Sequence, residues 1–321
     1  MCCLFGLLDY GDTFSGKEKI AILSVLSREC EVRGVDATGI AYNVNGKLSI
    51  FKRPLPAHKV HFTVPNSTRF IMGHTRMTTK GSEQLNYNNH PFLGEIPSCK
   101  FALAHNGILY NDNQLRTSES LPQTKIQTDS FVAVQLIEKQ NALSFGSLKN
   151  MAEKVEGSFT FTVLDSRDNF YAIRGDNPFT LYHYPQYGFF LYASTSEILT
   201  NALMKLGIQD WPHEHIILSC GDILRIDKRG KIKRGVFNTF DIYDSLEFLE
   251  HIAYHTKPSI VHNITDNDYV QELKSVASYC GYSPTDIDYL LSDGFSFNEI
   301  EDMLYMPSYE QYLNEEMDDL R

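Results

Sequence analysis

Tryptophan occurs once in the 321 residues, and no apolar run approaches the ~18 residues of a membrane span. The apolar run from Cys2 to Leu8 has no basic residue before it and is closed by Asp9, Gly11 and Asp12. It therefore makes a poor signal peptide. The six cysteines, at 2, 3, 30, 99, 220 and 280, form no CxxC pair. A chain of this size needs no disulfide staples, so reduced thiols and a cytoplasmic location are expected. Basic residues are scarce in one region only. Residues 1–240 carry 26 basic and 22 acidic side chains, residues 241–321 only 3 basic and 18 acidic. Such an acidic segment repels nucleic acid backbones and suggests a separate C-terminal module, giving domains at 2–240 and 241–321. The 42% hydrophobic and 21% charged content excludes a mainly disordered chain or a rod.

What is present is mostly strand-like. Cys2–Leu8 reads as a buried strand. Residues 39–44 and 47–52 flank Asn45-Gly46, a hairpin signal. Further strands are expected at 69–74, 100–105, 159–165, 171–174, 189–193, 222–227 and 231–236. Helical periodicity marks 17–33, where Ile20, Leu23, Leu26 and Cys30 share a face, and helices are also expected at 129–140, 147–155 and 196–206. Strands paired as hairpins argue for antiparallel sheets with helices outside. Past residue 240 a short helix is expected at 245–251 and a longer one at 269–280. A 13-residue repeat follows, Gly281-Tyr282-Ser283-Pro284-Thr285-Asp286 and Gly294-Phe295-Ser296-Phe297-Asn298-Glu299. Each copy holds a capping box that starts a short helix. This acidic helical extension is either a cap or a docking module.

Several short motifs carry chemistry. Cysteine is small enough for Met1 to be trimmed from it. Trimming would leave Cys2 with a thiol and an α-amine of pKa ~7.7–8.0, a nucleophile and a base in one residue. Arg33-Gly34-Val35-Asp36-Ala37-Thr38-Gly39 follows, then Gly73-His74-Thr75-Arg76, His105-Asn106-Gly107 and Thr128-Asp129. Taken singly they allow plain readings. Arg76 can be a salt-bridged arginine, Asn106-Gly107 a turn pair, Asp129 a helix N-cap. His74, His90 and His105 are too widely spaced for a compact zinc motif, and no metal is expected.

Taken together and in this order, they resemble the class II glutamine amidotransferase domain, an N-terminal-nucleophile hydrolase. Met1-Cys2-Cys3-Leu4-Phe5-Gly6 is similar to that family's usual Met-Cys-Gly-Ile-Phe-Gly opening, and the resemblance runs over residues 2–240. It implies an α+β fold: a four-layer αββα sandwich of two antiparallel sheets between helices. It implies that Cys2 attacks the side-chain amide of L-glutamine, giving glutamate and ammonia through a thioester, with no cofactor. Asn106 and Gly107 would form the oxyanion hole. Arg76, Thr79 and Asp129 would bind the substrate's α-carboxylate and α-ammonium end. Arg33, Asp36 and His74 would shape the site from behind, with Arg33 and Asp36 expected as a buried pair. Three departures stand out. Cys3 replaces the usual glycine and is expected to crowd the site or add a redox liability. Met77 replaces a common aromatic and is expected to loosen the substrate lid. Lys80 stands where a histidine or small residue is usual.

Nucleotide, phosphoribosyl-diphosphate and phosphate-loop motifs are missing from the sequence. The expectation is a stand-alone glutaminase domain passing ammonia to a separate synthase subunit, without nucleic acid or membrane partners. Two alternatives remain: a hydrolase of another γ-glutamyl or small amide, and an inactive partner-binding scaffold.

Overall fold

The computed structural model describes residues 2–239 and 283–292, with positions 270, 274, 277 and 300. The chain divides into two compact units, Met1–Glu250 and His251–Arg321.

In the first unit β1 (Cys3–Asp9) is buried along its whole length. Its side chains alternate between two apolar clusters. Cys3, Phe5 and Leu7 join one, Leu4 and Leu8 the other. A strand covered on both faces needs no polar alternation, which is why it reads as a continuous apolar run. β1 lies inside a seven-stranded antiparallel sheet. Its neighbours are β4 (Phe70–Arg76) and β10 (Phe189–Ala193). β2 (Ala37–Val44), β3 (Lys47–Arg53), β9 (Thr180–Tyr184) and β11 (Glu214–His215) complete the order β11-β9-β10-β1-β4-β2-β3. The second sheet has six strands, β13-β12-β8-β7-β6-β5. These are β5 (Phe92–Ile96), β6 (Cys99–Leu109), β7 (Gly157–Asp165), β8 (Phe170–Arg174), β12 (Asp222–Ile226) and β13 (Ile232–Val236).

Three clusters make the layers. Leu4, Phe70 and Met72 meet Ala102, Leu164 and Phe170 between the sheets. Leu23 and Leu26 of α1 (Gly16–Glu29), with Leu199 and Leu203 of α5 (Ser196–Leu206), cover the outside of the first sheet. Val134 and Ile137 of α3 (Phe131–Lys139), with Leu148 and Met151 of α4 (Phe145–Ala152), cover the outside of the second. Each such buried side chain contributes roughly 1.5–3 kcal/mol of transfer free energy. The result is the expected αββα sandwich.

The expected helix 17–33 ends at Glu29 and continues as a 3-10 turn, Cys30–Arg33. α4 starts two residues earlier than expected because Ser144 and Ser147 cap it reciprocally. β5, β9 and β11 and the short α2 (Asp112–Ser118) were absent from the sequence reading. β5 and β11 are a short sheet edge and a two-residue pairing, fixed by a neighbour's hydrogen bonds more than by their own pattern.

In the second unit the first repeat copy forms α6 (Pro284–Ser292), with Ile287 and Leu290 buried. The Asp286 carboxylate accepts the Ser283 N–H at 2.8 Å, one arm of the expected capping box; the Ser283 hydroxyl accepts from Thr285 instead. The second copy, the helix at 245–251, most of that at 269–280 and the boundary at 240 lie outside the described residues. Among the described residues no helix is long and apolar enough to cross a membrane.

Candidate active site

Antiparallel pairing brings three strand ends together. Cys3 lies opposite Thr75, so Cys2 stands at the end of β4 where Arg76 is the last residue. Ala37, the first residue of β2, lies opposite Arg76 on the other side. Cys2 is 9% exposed, its thiol 3.5 Å from the Met77 carbonyl oxygen. Its own carbonyl accepts from Arg33 Nε at 3.1 Å. Burial pushes the Cys2 thiol pKa up, against the lowering effect of the Met77 contact and the Arg76 charge. The Asp36 carboxylate accepts the Thr78 N–H at 2.7 Å, and its backbone N–H donates to the Arg76 carbonyl at 2.9 Å. Arg33 and Asp36 are each half-buried, not the fully buried pair expected from sequence. They fix different segments, the Cys2 backbone and the chain after Arg76. Gly34 fits between them because a Cβ there would stand 2.5 Å from the Arg76 carbonyl carbon.

Arg76 is 2% exposed. Its guanidinium donates to the Asn89 side-chain oxygen at 2.7 Å and to the carbonyls of Lys80 and Gly81 at 2.7 and 2.9 Å. All three acceptors are uncharged. Among the described residues no carboxylate lies within 4.0 Å of it, so the salt-bridged reading does not hold. Burial lowers its pKa, while the nearby Cys2, Glu83, Asp36 and Asp129 oppose that. Asn89 was missed in the sequence. In Asn88-Asn89-His90-Pro91 nothing distinguishes a buried arginine ligand from an ordinary polar loop. Thr79 lies exposed on the segment after Arg76. Lys80 closes that segment, with both Asp112 carboxylate oxygens 2.8 Å from its ammonium.

The opposite wall comes from the second sheet. Asn106 lies mid-strand in β6 and is fully buried. Among the described residues, neither its side-chain oxygen nor its nitrogen has a hydrogen-bond partner. Gly107 sits at φ +142°, and a Cβ there would stand 1.8 Å from the Ser158 carbonyl oxygen. This glycine is required by the neighbouring strand's backbone. The pair is part of a strand, not a turn. Asp129 is buried and accepts the Leu109 N–H at 2.7 Å. The helix N-cap is Ser130, so Asp129 ties the end of β6 instead of capping α3.

His74 joins the two walls. Its Nε2–H donates to the His105 carbonyl at 2.9 Å, from the strand of Arg76 to the strand of Asn106. His105 Nδ1 lies 2.8 Å from the Ser130 hydroxyl, and the His74 and His90 ring centroids are 4.2 Å apart, tilted by 33°. Burial holds all three histidines below the ordinary imidazole range, His74 at about 3. Among the described residues no three His, Cys, Asp or Glu groups are placed to hold a metal ion.

Residues 74–201 match the sequence profile of a family described as "Glutamine amidotransferase domain". The matched segment holds Arg76, Asn106, Gly107 and Asp129. The chain carries a class II glutamine amidotransferase domain. Among its curated relatives, the glutamine–fructose-6-phosphate aminotransferase (isomerizing) of Corynebacterium glutamicum is 30% identical over 197 residues, 56% of this chain and 31% of that enzyme. The Streptococcus pyogenes enzyme of the same name is 35% identical over 148 residues, 43% of this chain and 24% of that enzyme. The chain thus spans under a third of the length of these relatives. Two solved structures share the amidotransferase domain's fold. The glutamine phosphoribosylpyrophosphate amidotransferase of B. subtilis gives a TM-score of 0.57 at 20% identity, covering 74% of this chain and 49% of that one. An allosteric regulatory enzyme of purine biosynthesis gives 0.60 at 20% identity, covering 87% and 58%.

Proposed function

We propose that the domain hydrolyses the side-chain amide of L-glutamine, with Cys2 as nucleophile and Met1 removed. The observation that carries this reading is Asn106: a fully buried amide with an unspent donor, on the strand facing the Cys2 end of β1. A buried unpartnered amide costs roughly 1–3 kcal/mol and persists where a ligand completes it. An oxyanion is such a ligand.

The thiol of Cys2 attacks the amide carbon, and its proton passes to the freed α-amine. Burial disfavours a free-standing thiolate, so attack and proton transfer go together. The oxygen gains negative charge and takes the Asn106 Nδ2–H and the Gly107 N–H; one such donor is worth ~2.7–4 kcal/mol. The α-ammonium returns the proton to the leaving nitrogen, and ammonia departs. Water then attacks the thioester with the amine again as base, giving glutamate and restoring the thiol. Arg76 holds the substrate α-carboxylate, Asp129 the α-ammonium, and Thr79 covers that end.

The ammonia is handed to an acceptor enzyme, which we place on a separate synthase subunit in a reducing cytoplasm. The relatives' names, which pair glutamine with a second substrate, support a transfer of this kind. The test is intact mass and N-terminal mapping before and after a glutamine-like γ-electrophile. Loss of Met1 and one adduct on Cys2, blocked by excess glutamine and absent in Arg76→Ala, is expected. A retained Met1, or a trimmed chain without a glutamine-protected adduct, overturns the reading.

A further inference from the structure

The residue after the nucleophile, Cys3, does not stand alone. Its sulfur lies 2.8 Å from the sulfur of Cys30, and both side chains are fully buried. Each backbone is held by its own element, and both meet Thr75. Cys3 pairs with Thr75 in the sheet, and Cys30 caps the end of α1, its carbonyl accepting the Thr75 hydroxyl at 3.2 Å. The two sulfurs lie within a closed apolar layer between β1 and α1. Neither residue takes part in the chemistry proposed for Cys2, Asn106 and Arg76.

We propose that Cys3 and Cys30 are a reversible disulfide site, closed by a peroxide as oxidant. A disulfide bond of ~2.05 Å needs the sulfurs to close by under about 1 Å, a movement within the reach of side-chain torsions. The Cys3 sulfur attacks one peroxide oxygen, the O–O bond breaks, and Cys3 becomes a sulfenic acid with release of one water. The Cys30 sulfur then attacks the Cys3 sulfur, the S–O bond breaks, and the hydroxyl leaves with the Cys30 proton as a second water. Two thiols lose two protons and two electrons; one peroxide takes them up and becomes two waters. Cys3 is the member suited to react first. Burial opposes its ionisation, but hydrogen bonds from Cys30 and Ser194 and the Arg33 charge outweigh that and lower its pKa, while Cys30 is raised.

The bond joins the strand that begins beside Cys2 to the turn that carries Arg33, whose Nε holds the Cys2 carbonyl. It closes a loop from residue 3 to residue 30, so it removes entropy from the unfolded chain and steadies the nucleophile's end of β1. This inference stands apart from the glutaminase reading, because its readouts need no substrate.

The test treats the full chain, in a Cys2→Ser background, with hydrogen peroxide, alkylates free thiols, and maps tryptic peptides without reduction. The expected product is the peptide ending at Lys17 joined to Glu29–Arg33, two hydrogens lighter than the free pair and reopened by dithiothreitol. The thermal midpoint is expected to rise by about 5–10 °C on oxidation. Cys30→Ala, and independently Cys3→Gly, lose both the cross-link and the shift. Recovery of both peptides as alkylated thiols overturns the proposal. So does sulfinic acid on either cysteine without a cross-link, or a cross-link that survives in both variants.

Discussion

The two ends of β1 each bury a cation, and they treat it in opposite ways. At the Asp9 end, Lys19 is fully buried with its ammonium 3.1 Å from the Asp9 carboxylate, itself fully buried. The Thr68 carbonyl at 2.8 Å and Asp12 at 3.4 Å take its other protons. Asp9 in turn accepts the N–H groups of Thr13 and Phe14. That charge is matched within the protein and has nothing left for a ligand. At the Cys2 end, Arg76 is nearly as buried, but its acceptors are an amide and two carbonyls. They orient the guanidinium without neutralising it. The lesson is that burial alone does not separate a structural cation from a functional one. The difference is that a carboxylate touches Lys19 directly, while those near Arg76 act from a distance; under the proposed function the charge that meets Arg76 arrives with the substrate.

The largest effect that would break this comparison is on the closed end. Lys19→Met leaves Asp9 charged and buried without its partner. It is expected to lower unfolding stability by about 3–5 kcal/mol while leaving the glutamine KM within about twofold. Urea unfolding and steady-state kinetics check both halves. A small stability loss would mean the two ends are not different in kind.

Arg76→Lys is the mirror experiment. The charge stays but the fork is lost. We expect kcat/KM for glutamine to fall by about a hundredfold, with a stability loss below about 1.5 kcal/mol. Glutamate release measured across substrate concentrations reads it. A variant that unfolds before it loses substrate affinity would place Arg76 with Lys19.

The histidines between the sheets sharpen the contrast through pH. His74 titrates at about 3 when folded and near its ordinary 6.5 when unfolded. The unfolded chain therefore binds the extra proton between those values, and stability falls as pH drops through 6.5 toward 3. By pH 5 His74 alone is expected to cost about 2 kcal/mol relative to pH 7.5. Urea midpoints at the two pH values measure this. His74→Gln, which can still donate to the His105 carbonyl, should flatten the slope by about one proton.

The smallest effect is at the segment after Arg76. Lys80→Met releases the segment whose carbonyls hold Arg76, from a pair whose lysine side chain is 42% exposed. The expected change is a threefold to fivefold rise in KM, on the order of 0.7–1 kcal/mol, with kcat little altered. Raised ionic strength should weaken the wild type in the same direction.

Much of the proposed site came from motifs in sequence order. Cys2, Arg76, Asn106, Gly107 and Asp129 were named through the family those motifs resemble, and the structure sets them at the ends of β1 and β4, in β6 and beside the end of β6. Asn89 could not be named, since a buried arginine's neutral acceptor leaves no pattern of its own. Lys80 was visible as a departure, but its partner Asp112 lies 32 residues away on a helix that the sequence reading did not find. The plain readings of Asn106-Gly107 as a turn and Asp129 as a cap failed for one reason. Both depend on where β6 ends, and β6 runs four residues longer than expected because β7 pairs with it to Leu109.

By itself the sequence determined the alternation of strands and helices, the antiparallel layering, and the residue types able to break an amide. Those follow from local periodicity and from chemistry carried by single side chains. Tertiary structure decided how each buried polar group is met: Lys19 by Asp9, Arg76 by neutral acceptors, Asn106 by no partner among the described residues, Cys3 by Cys30. Such pairings join strands and helices from 10 to 27 positions apart, and compensation between charges and hydrogen bonds is a property of distances that exist only once the sheets have packed.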